Sequence, residues 1–222
     1  MTSEFPHGAS ATLVKRVVHR VVQSPAVFYY ARTHFYWGTM RRVRRTLDMQ
    51  PGERLLDVGC GSGMGAGLTR GMYVGVDTDL TYLRFARRRL RHWPTHTFMA
   101  MSALDLGFQD GAFDKAMMLN VVHHLDDTMA DQFLGKLARV VRKKVFVLDH
   151  DIERDNAVSG WLVRQDRGAH MRPYGALRDL LAHHYDVENA QRFFNAEHTV
   201  SCAVFTLVPR RPSNQPQSAD CG

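Results

Sequence analysis

Leu55-Leu56-Asp57-Val58-Gly59-Cys60-Gly61-Ser62-Gly63, followed closely by Val74-Gly75-Val76-Asp77, reads as a strand, a glycine turn, a helix and a second strand ending in an acid. Residues 55–58 form a short apolar run with a β-branched end. Gly59, Gly61 and Gly63 then let the backbone turn sharply and approach a ligand with no Cβ in the way. Residues 63–70 are expected to form a helix whose first N–H groups face that ligand, and Asp77 ends the second strand where a ribose hydroxyl pair would lie. The pattern describes a nucleotide-type site. Its strength lies in the strand before the glycines and the acid-terminated strand after them, since glycine turns alone also serve ordinary connections.

The run Asp57-Val58-Gly59-Cys60-Gly61-Ser62-Gly63 resembles the first motif of class I S-adenosylmethionine (SAM) methyltransferases. It departs from the dehydrogenase fingerprint in placing an acid before its glycines and in spacing them more tightly. Leu106-Gly107-Phe108-Gln109-Asp110-Gly111-Ala112-Phe113-Asp114, with Met117-Met118-Leu119-Asn120-Val121-Val122-His123-His124-Leu125-Asp126-Asp127 after it, resembles the fourth-strand region of the quinone-biosynthesis and small-molecule branch. The resemblance covers residues 47–149 in order. It implies that the backbone at Gly59, Gly61 and Gly63 passes the methionine part of SAM, that Asp57 offers a carboxylate near the amino group, and that Asp77 holds the ribose hydroxyls. Cys60, Thr78, Ser102, Ala103 and Asn120 join the same expected cofactor-binding set. Ser102 stands where related sequences carry an Asp for the adenine amino group, so a neutral acceptor replaces a charged one. Gly107 replaces a usual Pro, and Arg142-Lys143-Lys144 replaces a usual Pro-Gly-Gly turn before the fifth strand.

Composition bounds the rest. A chain of 222 residues, 45% hydrophobic and 23% charged, suits one well-buried domain with appendages. The expected division is an N-terminal helical cap over residues 1–46, a SAM-binding domain over 47–208 with a substrate-side insert near 150–174, and a disordered tail over 209–222. No apolar run reaches the length of a membrane span and the start lacks the character of a secretory signal, so the expectation is a soluble, cytoplasmic protein. Cys60, Cys202 and Cys221 show neither metal spacing nor a disulfide framework. The thiol of Cys60 is read as a small group filling a tight turn, rather than as a nucleophile.

The 29 Lys+Arg against 22 Asp+Glu are unevenly placed, with Arg41, Arg42, Arg44 and Arg45 in one cluster and Arg87, Arg88, Arg89 and Arg91 in another. Nucleic acid, acidic lipid or an anionic substrate can exploit such clusters, but no aromatic-interleaved RNA signature accompanies them, and solvated helix faces are the simpler reading. Val14, Val17, Val18, Val21 and Val22 repeat at helical spacing opposite Lys15, Arg16, His19 and Arg20. This basic amphipathic helix either docks on its own domain as a lid or lies on a membrane surface. The sequence does not define the oligomeric state.

Strands are expected at residues 54–58, 73–77, 97–101, 115–120, 144–149, 187–193 and 200–208. Helices are expected at 63–70, 80–92, 128–141 and 174–184. Alternation with wholly apolar strands implies an α/β, Rossmann-like, doubly wound and mostly parallel sheet with helices on both faces, and the resemblance adds an antiparallel C-terminal edge hairpin.

Methyl transfer from a sulfonium needs an in-line acceptor and little acid–base help, so positioning can supply most of the rate. A base matters for a phenol, hydroxyl or activated carbon. His123, His124 and His150 are expected near the carboxyl ends of the fourth and fifth strands, with His124 the first choice to line the acceptor pocket. Asp149-His150-Asp151 contains metal-ligand types, but adjacent residues point apart on a strand, so no metal is expected. Tyr36, Arg172 and Tyr174 are the expected substrate-binding residues, Arg172 as the partner of an anionic acceptor. The resulting expectation is a SAM-dependent methyltransferase acting at O or C of a small, partly apolar metabolite. The rivals are an RNA methyltransferase and a SAM-binding protein of the same fold that catalyses a cyclisation or rearrangement without methyl transfer.

Overall fold

In the computed structural model the described residues are Ser24, Ala26, Tyr29, Tyr30 and residues 37–154, 170–194 and 201–211. The expectations placed on residues 14–22, on Tyr36, on most of the insert and on the tail beyond Arg211 fall outside them.

Seven strands form one sheet: β1 (Arg54–Val58), β2 (Met72–Asp77), β3 (His96–Ala100), β4 (Phe113–Leu119), β5 (Val141–His150), β6 (Tyr185–Phe194) and β7 (Ser201–Pro209). Their spatial order is β3-β2-β1-β4-β5-β7-β6. β1 to β5 run parallel, and β7 lies antiparallel between β5 and β6. This is the expected doubly wound sheet with its antiparallel C-terminal pair.

Among the described residues, four helices cover the sheet: α1 (Trp37–Leu47), α2 (Leu80–Arg89), α3 (Asp127–Val140) and α4 (Tyr174–Ala182). Strand alternation divides the core into two layers. Leu55, Tyr73, Met117, Phe146 and Leu148 pack with Val43 and Leu47 of α1 and Leu83 and Ala86 of α2. Leu56, Val76, Met118, Val147 and Phe205 pack with Phe133 and Leu137 of α3 and Leu177 and Leu181 of α4 on the other face. Each such fully buried apolar side chain contributes about 1.5–3 kcal/mol. Because β1 has β2 on one side and β4 on the other, the strand order reverses there, and a crevice opens at the carboxyl ends of β1 and β4.

Two local departures have clear causes. The helix expected at residues 63–70 is a short 3₁₀ turn, Met64–Leu68, entered through Gly63 in the left-handed region at φ 76°. Gly63, Gly65 and Gly67 deprive an α-helix of stability at about 1 kcal/mol each. Gly65 has no alternative, since a Cβ there would fall 1.9 Å from Met117 Cε and 2.7 Å from Asp57 Oδ2. The turn therefore presents no full α-helix N-terminus to the cleft, contrary to the expectation for residues 63–70. The second departure is at Arg142-Lys143-Lys144, where α3 passes directly into β5. There Arg142 pairs with Asp114 at 3.0 Å and Lys143 with Glu53 at 2.9 Å, so charge replaces the missing turn.

Candidate active site

The glycine loop is held from both sides. Gly59 and Cys60 donate their N–H groups to Val76 O at 2.8 and 3.0 Å. Gly61 donates to Asp77 Oδ2 at 2.7 Å, and Asp79 donates to Asp77 Oδ1 at 2.9 Å. Asp77 thus ties the loop to the start of α2, where Asp79 caps the helix by accepting from Thr81 and Tyr82. Gly59, Gly61 and Gly63 have φ of 69°, 51° and 76°. A Cβ on Gly59 would lie 2.5 Å from Val121 Cγ2, whereas one on Gly61 meets nothing within 4 Å. Gly59 is demanded by the protein's own packing; Gly61 turns its open side to the cleft.

Asp57, Gly59, Cys60, Gly61, Met64 and Leu119 line the concavity beneath this loop. Asp57 is buried at the end of β1 and accepts a hydrogen bond from the Tyr73 hydroxyl at 2.5 Å. Burial and the neighbouring Asp57 and Asp77 charges push the Cys60 thiol far up, which suits a space-filling group and not a nucleophile. Thr78 is exposed beside Asp77. Ser102 caps the 3₁₀ turn Ala103–Asp105 by accepting from Leu104 N at 3.2 Å. Asn120 follows β4, buried and at φ 59°, with its N–H donated to Leu148 O at 2.7 Å. A non-glycine residue held in the left-handed region is a stored cost that recurs at functional sites.

The three histidines meet at the ends of β4 and β5. His123 and His124 lie on the 3₁₀ turn Val122–His124, and His150 ends β5. The ring centroids of His123 and His124 are 4.2 Å apart, and those of His123 and His150 are 5.0 Å apart. His123 is buried and its Nδ1 lies 2.5 Å from Asp149 Oδ1. Asp149 also accepts the backbone N–H groups of His123 at 3.2 Å and His150 at 2.8 Å. Burial alone would push the Asp149 carboxyl up; the bond from His123 and the nearby histidine charges outweigh it and hold the group below the usual carboxylate range. With Asp149 ionised and accepting at Nδ1–H, Nε2 becomes the basic atom of His123. His124, first choice from the sequence, is exposed.

Arg172 does not reach out for an anion. Its guanidinium donates to Asp127 Oδ1 at 2.8 Å and to the backbone oxygens of Val122, His170 and Leu125 at 3.2, 3.1 and 2.7 Å. It clamps the segment before α4 onto the histidine turn, where His170 N also donates to His123 O at 3.0 Å. Tyr174 is stacked on Phe205 at 5.3 Å, with the Arg192 guanidinium 4.8 Å from its ring. Arg192 in turn makes two bonds to the buried Asp151, at 2.7 and 2.8 Å. Among the described residues no group of three or more His, Cys, Asp or Glu forms a metal site. Asp149 and Tyr73 make contacts that sequence reading missed, because their partners, His123 on the 3₁₀ turn after β4 and Asp57 on β1, are brought to them only by the fold.

A family model described as a methyltransferase domain matches residues 56–148, the span from β1 to β5. The tRNA (carboxymethyluridine(34)-5-O)-methyltransferase alkbh8 of Xenopus tropicalis is 29% identical over 138 residues, 61% of this chain and 21% of that protein. The 2-phytyl-1,4-naphtoquinone methyltransferase of Synechocystis sp. is 35% identical over 128 residues, 52% of this chain and 52% of that protein. The chain therefore spans about half or less of these curated relatives. In fold, it is similar to a chain from a complex of the Haloferax volcanii Trm112 methyltransferase activator with a methyltransferase, at TM-score 0.74, 14% identity and coverage of 87% of this chain and 98% of that one. No helix among the described residues is long and apolar enough to cross a membrane. Residues 56–148, with their acid-glycine motif at the carboxyl edge of a sheet of this order, match the methyltransferase-domain family model, and the chain shares the Rossmann-like fold of that solved structure.

Proposed function

We propose that the cleft beside Gly61 binds SAM and that the chain transfers its methyl group to oxygen or carbon of a small, partly apolar acceptor. Bound SAM supplies an activated methyl group and a neutral leaving group. The residues suit such a ligand: a loop whose backbone opens onto the cleft at Gly61 lies between the carboxylates of Asp57 and Asp77. One carboxylate suits an ammonium and the other a ribose diol, each as a charged acceptor. The observation that carries the catalytic reading is the buried His123–Asp149 pair beside this loop. Asp149 fixes the ring and its tautomer, and His123 Nε2 takes the acceptor proton. Gly59 brings the two halves of the site together, because the side chain of Val121 from the histidine turn occupies the place of its missing Cβ.

The relatives include a quinone methyltransferase and a tRNA methyltransferase, so transfer to RNA is the second reading. The arginine clusters weigh against it. Arg44 donates to Gly67 O, Arg87 to Phe98 O and Arg89 to Gly63 O, and Arg42 stacks on Phe193 at 4.4 Å, so much of the charge is engaged within the fold. An assay with methyl-labelled SAM, offered separately a metabolite extract and total RNA, tests the proposal. Label in the small-molecule fraction supports it, label in RNA selects the second reading, and product formation without label selects the non-methylating rival.

A further inference from the structure

Tyr73 enters β2 on the face shared with Asp57, because Leu55 pairs with Tyr73 and Asp57 with Gly75 in the parallel register. Its ring runs along the strand toward the carboxyl edge, over a residue with no side chain. A Cβ at Gly75 would stand 3.0 Å from Tyr73 Cε1 and 2.8 Å from Cys60 Sγ, so glycine is what leaves the ring its path. At the end of that path the hydroxyl meets Asp57 Oδ2 at 2.5 Å. The ring is fixed from behind by His96, stacked at 5.1 Å with an interplanar angle of 20°, and by Phe98 at 5.5 Å. His96 is itself tied to the loop through Nε2 and Ala66 O, 2.9 Å apart. Tyr73 is fully buried, and burial together with the Asp57 charge pushes its phenol well above the ordinary value, so it stays protonated and donates.

We infer that Tyr73 is a positioning residue for the cofactor: its hydroxyl fixes the Asp57 carboxylate so that the ammonium end of the methionine moiety meets an oriented charge. This rests on the proposed SAM site. A carboxylate at the floor of an apolar layer, beside Met117 and Leu119, needs a strong donor to hold one orientation, and the phenol provides a neutral one that does not compete with an incoming cation.

The test compares two ligands that differ in the group Asp57 is assigned to hold. S-adenosylhomocysteine carries the amino-acid end; methylthioadenosine has the same nucleoside and thioether without it. Tyr73→Phe keeps the ring and its stack on His96, and Asp57→Asn supplies a second variant of the same contact. Calorimetry on the full chain is expected to show S-adenosylhomocysteine weakened about tenfold or more in Tyr73→Phe, with methylthioadenosine within about twofold of wild type. The two substitutions together are expected to cost less than the product of their separate effects. An equal loss for both ligands would make Tyr73 a packing residue, and no loss for either would remove any role; each overturns the inference. Failure of the wild type to bind either ligand would bring down the SAM site itself.

Discussion

His123 and Asp149 stand 26 residues apart in the chain and within one hydrogen bond in the fold. The sequence places both near strand ends, yet nothing in it distinguishes His123 from His124. The distinction arises because the 3₁₀ turn directs one ring to β5 and leaves the other exposed. For the same reason Arg172 reads as an anion binder in sequence and as a clamp in three dimensions, its acceptors being backbone oxygens that no motif records. The placement of Asp57, Gly61 and Asp77 around one loop was legible because it depends on spacing within one strand-loop-strand unit. If His123 takes a proton, His123→Ala should lower turnover of a hydroxyl acceptor by about two to four orders of magnitude, with S-adenosylhomocysteine affinity nearly intact. Asp149→Asn should lower it in the same direction, since the amide cannot stabilise the imidazolium, and His124→Ala should have the smaller effect. Steady-state kinetics beside calorimetry separates these outcomes; turnover insensitive to His123 would leave transfer to proximity alone.

Among the elements, the expected strand bounds lie within three residues of the observed ones, and those of α3 and α4 within two. The α3–β5 junction was not legible, because what replaces its turn is a set of contacts made across the amino edge of the sheet. At that edge, Lys115 is buried, lies 2.9 Å from Glu53 Oε2 and donates to Leu47 O and Asp48 O, each at 2.7 Å. Those oxygens end α1, and Asp48 leaves the helix in the left-handed region at φ 42°. Lys115 therefore fastens the C-terminus of α1 to β4. Lys115→Met should strand both carbonyls and weaken the compensation of Glu53, costing about 3 kcal/mol. For a chain of this size that corresponds to roughly 6–12 °C in Tm. Calorimetric unfolding checks it, and a Tm unchanged by the substitution would show that Lys143 alone compensates Glu53.

For the whole molecule, the shifted carboxyls and His96 share one direction of response to acid. Burial would raise the carboxyls of Glu53, Asp114 and Asp149, but backbone and side-chain donors hold all three below their ordinary values. Asp131 is lowered chiefly by His183 and, against slight burial, by His184. A carboxylate with a depressed native pKa gives stability that is present above its unfolded value of about 4 and is lost as pH falls through the native one. His96 is lowered by burial despite its bonds to backbone oxygens. It takes up its proton at lower pH in the fold than in the unfolded chain, which protonates below about pH 6.5, so it too loses stability on acidification, and earlier. Thermal unfolding followed from pH 8 to pH 3 should therefore show a plateau, a shallow decline starting near pH 6.5, and a steep one below about pH 4. His96→Gln should remove the shallow part only.

These forces converge on the carboxyl edge, where Asp77 pins the Gly61 N–H and the opposite side of Gly61 is open. The most direct measurement is a calorimetric titration of wild type and Gly61→Val with S-adenosylhomocysteine, with the Tm of each protein recorded. A Cβ there meets no protein atom within 4 Å beyond its neighbours in the chain, so the main cost to the fold is the backbone strain of φ 51°, about 1–2 kcal/mol, while the ligand's path is blocked. The expected result is binding at one site per chain in the wild type and a loss of about a hundredfold or more in the variant, which still unfolds cooperatively. A wild type that does not bind, or a folded variant that binds as well as wild type, would contradict the assignment of this cleft as the cofactor site.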